Sequence, residues 1–169
     1  MSKKIWSLLR LRANSEEELK EKYRRVYINE YVNKEIYDWM GNRVIFAYSQ
    51  FDHAFSESSN YKTSFGVHDK PFSIKRARYI LWIKKVLMLQ TGDVDYNIEY
   101  RSEIRTKKGK QVIVRLYAVI EEKYVVVLDK KEDNLYFITA VPHDKNSYKN
   151  MNRRSALLKK EKVPSSLGD

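Results

Sequence analysis

The apolar residues of this chain change their spacing near residue 94, and that change limits the folds open to it. Before it, apolar side chains recur at helical intervals. After it, they alternate or run together as they do in strands. "DYNIEYRSEIR" alternates, "TKKGKQ" supplies a turn with Gly109, and "VIVRLYAVI", "KYVVVLDKKED" and "LYFITAVP" follow, with turns at Glu121-Glu122 and from Lys130 to Asn134. Four strands so closely spaced predict an antiparallel meander. The two inner strands have almost no polar interruption, so helices are expected to cover at least part of both faces.

The helical half has clear punctuation. Residues 14–40 open with Ser15 and carry Glu18 three residues later, a capping box with acids in the first turn where the helix dipole favours them. An apolar stripe from Leu19 to Trp39 predicts one helix, or two short ones, ending at Gly41-Asn42. "RVIFAYS", residues 43–49, reads as a buried strand, and Asp52 to Lys70 as a helical turn followed by a loop with Gly66. A second helix is predicted over residues 73–90, with Ser73 as its N-cap after Pro71 and Thr91-Gly92-Asp93 as its stop. From Lys145 to Lys162 the chain has seven Lys or Arg and one acid, and reads as a frayed helix or a disordered basic arm. The expected fold is therefore α+β, with N-terminal helices followed by a mostly antiparallel four- to five-stranded sheet and a basic C-terminal tail. The expected divisions are a helical extension over 1–42, an α+β core over 43–144 and the tail over 145–169.

Lysine and arginine number 33 against 22 acids in 169 residues, a net charge of +11, which favours an anionic partner and above all nucleic acid. There is no cysteine, hence no disulfide and no thiolate metal site, which suits a reducing cytoplasm. No stretch approaches the ~18 apolar residues of a membrane span, so no membrane partner is expected. Five glycines leave little room for a glycine-rich phosphate loop. The three histidines, His53, His68 and His143, are far apart and form no zinc motif, so neither metal nor cofactor is expected.

A few polar residues stand out against their surroundings. His53, in "QFDHAFSESS", follows an apolar run and is surrounded by hydroxyl and amide side chains; a surface or capping histidine is the plainer reading of it, and a proton-transfer group the sharper one. "IKRAR" places Lys75, Arg76 and Arg78 in a first turn where cations oppose the helix dipole, which hints at a nearby anion as much as at a solvated basic face. Arg76 and Arg78 point about 200° apart, so both cannot serve one pocket equally. Thr139, in "YFITAV", is either a β-former or a hydroxyl donor. Arg115, in "VIVRLYA", is a charge in an apolar run and needs a partner, an anion or an edge facing water; Tyr117, two residues on, is a candidate substrate contact with Lys75 and Arg115. These parts suit RNA cleavage by its own 2′-hydroxyl, which needs a base, an acid, and cations for the phosphate. Thirteen tyrosines offer faces on which unpaired bases could stack.

The order "VIFAYSQFDHAFSES", "FSIKRARYILWIKKVL", then "VVVLDKKEDNLYFITAVP" resembles the nuclease-like domains of phages and mobile elements grouped with barnase, EndoU, the tRNA-cutting colicins and RelE-type toxins. The likeness covers residues 43–142. His53 matches the family's histidine, Arg76 with Trp82 its helix signature, and Thr139 its closing hydroxyl. The resemblance implies a metal-independent endoribonuclease that leaves a 2′,3′-cyclic phosphate and works as a toxin or phage-defence effector. It implies His53 as base or acid, Arg76 or its rival Arg78 on the phosphate, and Thr139 and Arg115 as transition-state donors. His143, just after the last strand, is a candidate for the second proton-transfer group. RNA, tRNA included, is the expected partner, with an inhibitory antitoxin as the candidate protein partner. The alternative is a non-catalytic nucleic-acid-binding or phage accessory protein of the same fold.

Overall fold

A computed structural model describes residues 3–57 and 71–166. The loop expected through Lys70, with Ser58, Ser59 and His68, lies outside them. Helix α1 spans Glu16–Glu30 and is capped by Ser15, whose Oγ accepts the Glu18 amide at 3.1 Å. It ends nine residues before its apolar stripe does, at Glu30 against Trp39. Ile36–Tyr37 forms β1, and Asp38 turns the chain into β2, Arg43–Ile45. The other early elements are α2, Gln50–Ala54, and the pair α3, Ile74–Ala77, and α4, Trp82–Leu87.

The second expected helix is thus broken in two. Between its halves the amides of Tyr79, Ile80 and Trp82 each bond the carbonyl three residues back, the tighter 3₁₀ pattern. The tightening turns the large rings of Tyr79 and Trp82 and the Ile80 side chain into the core, where all three are buried. Ser73 caps α3 as its position suggests, its Oγ accepting the Arg76 amide at 3.1 Å.

The meander is present as β3, Tyr96–Lys107, β4, Lys110–Val119, β5, Tyr124–Lys131, and β6, Asn134–Pro142. Lys108 and Gly109 both have positive φ, 51° and 77°, as a tight two-residue hairpin turn requires. The sheet is larger than expected, and it is mixed. Seven strands lie in the order β1-β2-β6-β5-β4-β3-β7, curled into a half-barrel with five helices among the described residues. This corrects the four- to five-stranded, mostly antiparallel expectation at both edges. On one side β2 runs parallel to β6 and brings β1 with it. On the other, residues expected as a basic tail form α5, Lys145–Arg154, and strand β7, Ala156–Val163, antiparallel to β3.

Both faces of the inner strands are covered. One face, with Tyr117, Val119, Val126 and Leu128, packs against residues of α1 to α4; the other, with Val114, Leu116, Ala118, Val125 and Val127, packs against Tyr148 and Met151 of α5. The β1–β2 turn is fastened to the sheet by Asp38, which is only 5% exposed. Its Oδ1 accepts the amides of Met40 and Asn42 at 2.9 and 2.8 Å, and its Oδ2 accepts Asn42 Nδ2 at 2.9 Å and the Tyr117 hydroxyl at 2.7 Å. Four donors satisfy the carboxylate, and a carboxylate buried without them would be costly. Asp38→Ala should lower unfolding free energy by about 2–3 kcal/mol, since it strands several buried donors at once; urea denaturation of the two proteins checks this.

Candidate functional site

The candidate site lies where the ends of α2, α3, β6 and α5 meet. Two bonds hold α2 to β6: Gln50 Nε2 donates to the Ile138 carbonyl at 2.8 Å, and Thr139 Oγ1 donates to the Ala54 carbonyl at 3.0 Å. Thr139 sits beside a register shift, since Val127 pairs with Thr139 but Leu128 pairs with Phe137. Such bulges re-aim the side chains next to them. Arg76, on α3, reaches across and donates from Nη1 to Thr139 Oγ1 at 3.4 Å and to the Ala54 carbonyl at 3.5 Å. Residues 54, 76 and 139 thus form one polar cluster that fixes the guanidinium.

A cavity of about 520 Å³ opens beside this cluster. Glu57, Ser73, Lys75 and Arg76 line one side; Val141, Pro142, His143 and Asp144 form the end of the sheet; Ser147, Asn150 and Arg154 of α5 close the other side. Residues 147, 150 and 154 recur at helical spacing, so α5 shows the cavity a single face. Asp144 caps α5 by accepting the Ser147 amide at 2.7 Å, a bond that also holds its carboxyl below the usual range. Glu57 is positioned by its amide, which donates to the Pro71 carbonyl at 2.9 Å.

The electrostatics are mixed but cation-rich. Burial pushes the Arg76 guanidinium below the ordinary arginine value, while the nearby Glu57 carboxylate pulls it back up. His143 is held below the ordinary imidazole value of 6.5, first by burial and then by the charge of Arg76; Asp144 opposes this and Arg154 adds to it. An anion entering the cavity would therefore meet three cationic side chains and an imidazole made reluctant to charge by burial and by two of them. Among the described residues no group of three or more His, Cys, Asp or Glu side chains is placed to hold a metal ion.

Four of the residues singled out from the sequence converge here: Arg76 and Thr139 in the polar cluster, and Lys75, exposed, and His143 at the cavity wall. His53 is exposed on α2, next to Ala54 but outside the cavity lining; the imidazole that lines it is His143. Arg78 is the C-cap of α3 and is not among the cavity's lining residues; its carbonyl accepts the Leu9 amide at 2.9 Å. Arg115 and Tyr117 lie on the face of β4 that packs toward the N-terminal helices. The Arg115 guanidinium donates to Ser102 Oγ and lies 5.8 Å from the Tyr100 ring centroid, and Tyr117 donates to Asp38. These partners account for the odd polarity of "VIVRLYA" and place neither residue at the cavity. Glu57, Ser147, Asn150 and Arg154 were not singled out, because each sits in a polar stretch with nothing local to mark it.

No family model, curated protein or solved structure matches this chain. Thr139→Val keeps the shape of the side chain and removes its hydroxyl, leaving the Ala54 carbonyl and Arg76 without that partner. It should cost about 1 kcal/mol of stability, read from the shift of a urea unfolding curve.

Proposed function

We propose that the chain is an endoribonuclease that cleaves RNA through a 2′,3′-cyclic phosphate, using protein side chains for both proton transfers. The observation that carries this reading is the cavity into which Arg76, fixed by Thr139 and Ala54, is brought together with His143 and Glu57. A phosphodiester group seated against Arg76 is held by a forked cation, with Lys75 and Arg154 adding charge around it. Glu57 accepts the proton of the 2′-hydroxyl as its oxygen attacks phosphorus. His143, protonated, donates to the 5′ oxygen as the P–O5′ bond breaks, leaving a cyclic phosphate and a free 5′-hydroxyl. The Arg76 guanidinium opposes the charge that builds on the phosphoryl oxygens. Thr139 is a positioning residue, since its hydroxyl bonds Arg76 and not the cavity.

The bound phosphate also resolves the imidazole's depressed pKa. An anion between Arg76 and His143 offsets the guanidinium charge and favours the imidazolium. The resemblance of residues 43–142 to phage- and mobile-element-borne nuclease-like domains points the same way, toward a toxin or defence effector with an inhibitory protein partner. The +11 charge suits RNA, and the cysteine-free chain suits the cytoplasm, where we place the activity. Among the described residues no helix is long and apolar enough to cross a membrane.

Purified protein incubated with total RNA and tRNA in EDTA should give products ending in 2′,3′-cyclic phosphate. His143→Gln and Glu57→Gln should each lose about 100-fold or more in rate, whereas His53→Ala should lose little. Intact RNA in every lane, with binding retained, would assign the chain to nucleic-acid binding instead. Loss on His53→Ala alone would move the proton transfer to α2. The pH profile is a separate check. Because kcat/KM reports the free enzyme, it should fall as pH rises through the His143 pKa, below 6.5. The limb of kcat should lie at higher pH, since the bound phosphate raises that pKa.

A further inference from the structure

Helix α5 presents two polar faces. Ser147, Asn150 and Arg154 face the cavity; Lys145, Lys149 and Arg153, all exposed, form a second stripe at i, i+4 and i+8. Each member of that stripe is a chain neighbour, or nearly so, of a cavity residue: Lys145 follows Asp144, Lys149 precedes Asn150, and Arg153 precedes Arg154. The helix contains no acid. Like charges four residues apart work against a helix, so the stripe is not a feature that helix formation favours.

The surrounding structure compensates for the helix and leaves the stripe alone. Arg101, on β3, has a side chain only 11% exposed and points its donors at the end of α5. It donates from Nη2 to the carbonyls of Asn152 and Ser155, both at 3.2 Å, and from Nε to Ser155 Oγ at 2.8 Å. The acids beneath are already engaged, Glu99 by Arg101 and Glu103 by Arg105 and Arg154. Among the described residues none of Lys145, Lys149 and Arg153 pairs with a carboxylate. A rigidly pinned helix therefore holds three unpaired cations in a row, about 6 Å apart along its axis, starting at the cavity rim. That interval is comparable to the step between successive phosphates of an extended single strand.

We propose that the outer face of α5 is a track for single-stranded RNA, holding the phosphates that flank the one bound in the cavity. The inference rests on the ribonuclease reading for the identity of the strand but not for the existence of the track. The track binds backbone charge, so it is blind to base sequence and sensitive to salt. It lengthens the substrate the protein can grip, without touching the reacting group.

The test uses a single-stranded DNA 12-mer, which lacks the 2′-hydroxyl the chemistry needs and so reports binding alone. Its affinity is measured by fluorescence anisotropy over a salt series for the full chain, for Lys149→Gln/Arg153→Gln, and for Lys108→Gln/Lys110→Gln at the β3–β4 hairpin tip. Cleavage of a dinucleoside monophosphate, too short to reach the track, is followed in parallel. The α5 double variant should lower the magnitude of the log–log salt slope by about 1.4, the loss of two contacts to a single strand. The hairpin variant should leave the slope unchanged, and dinucleotide cleavage should be the same in all three proteins. An unchanged slope in the α5 variant, or an equal fall in the hairpin variant, overturns the track whether or not cleavage occurs. Absent cleavage with a slope that falls only in the α5 variant keeps the track and removes the ribonuclease reading. Binding of poly-glutamate in place of the oligonucleotide would make the stripe a protein-docking face and overturn the inference.

Discussion

Three tyrosine hydroxyls, two on helix α1 and one at its C-cap, set the positions of the segments that carry the candidate site. Tyr23 and Tyr27 on α1 and Tyr31 at its C-cap recur every four residues, and all three are fully buried. Leaving a buried hydroxyl without a partner is costly, and each of these finds a carbonyl in an irregular stretch: Leu9 at 2.6 Å, Ala47 at 2.7 Å and Ile80 at 2.6 Å. Burial holds the phenols of Tyr27 and Tyr31 far above the ordinary value, so they remain donors at any physiological pH. Ala47 leads directly into α2, and Ile80 separates α3 from α4. The rings do equal service, since Tyr27 lies within 6.2 Å of Phe46, Phe51, Phe55 and Phe137. Ala54 and Arg76 are held near Thr139 because α1 has located the elements that carry them.

The same economy governs charge. On the sheet, acids are matched with neighbouring cations: Glu99 with Arg101, Glu103 with Arg105 and Arg154, Asp129 with Lys107. Asp52 on α2 is shared by Lys20 and Arg24 of α1 and is held below the usual carboxylate range by them. The surplus of positive charge is thereby concentrated rather than spread, and α5 carries a share of it beside the cavity.

Local chemistry made part of this architecture legible. The Ser15 and Ser73 caps, the Lys108-Gly109 turn and the four strands of the meander each depend on residues close in sequence. The misreadings have a common cause. Ile36 and Trp39 continue the apolar spacing of α1, yet Ile36 joins a strand because Val44 lies opposite to pair with it. "ALLKKEKV" shows no strand alternation because β7 is an edge strand exposed along most of its length. Tyrosines that look like stacking platforms are mostly core, nine of the twelve among the described residues being buried. Within the site, Arg76 and Thr139 were recognisable one at a time. Their contact spans 63 residues, and that of Tyr117 with Asp38 spans 79, so neither pairing could be read from local pattern.

The parallel pairing of β2 with β6 has a consequence in time. It joins residues 43–45 to residues 134–136, and the cavity similarly takes one wall from 57–76 and the other from 141–154. Contacts so distant in sequence form late and slow folding. During synthesis, which proceeds from the N-terminus, a chain that has reached residue 90 displays the cations of α3 with no hydroxyl beneath Arg76 and no imidazole across from it. The cavity exists only once α5 has emerged and docked. Any chemistry that it performs must therefore wait until residues 145–154 have folded back across α3.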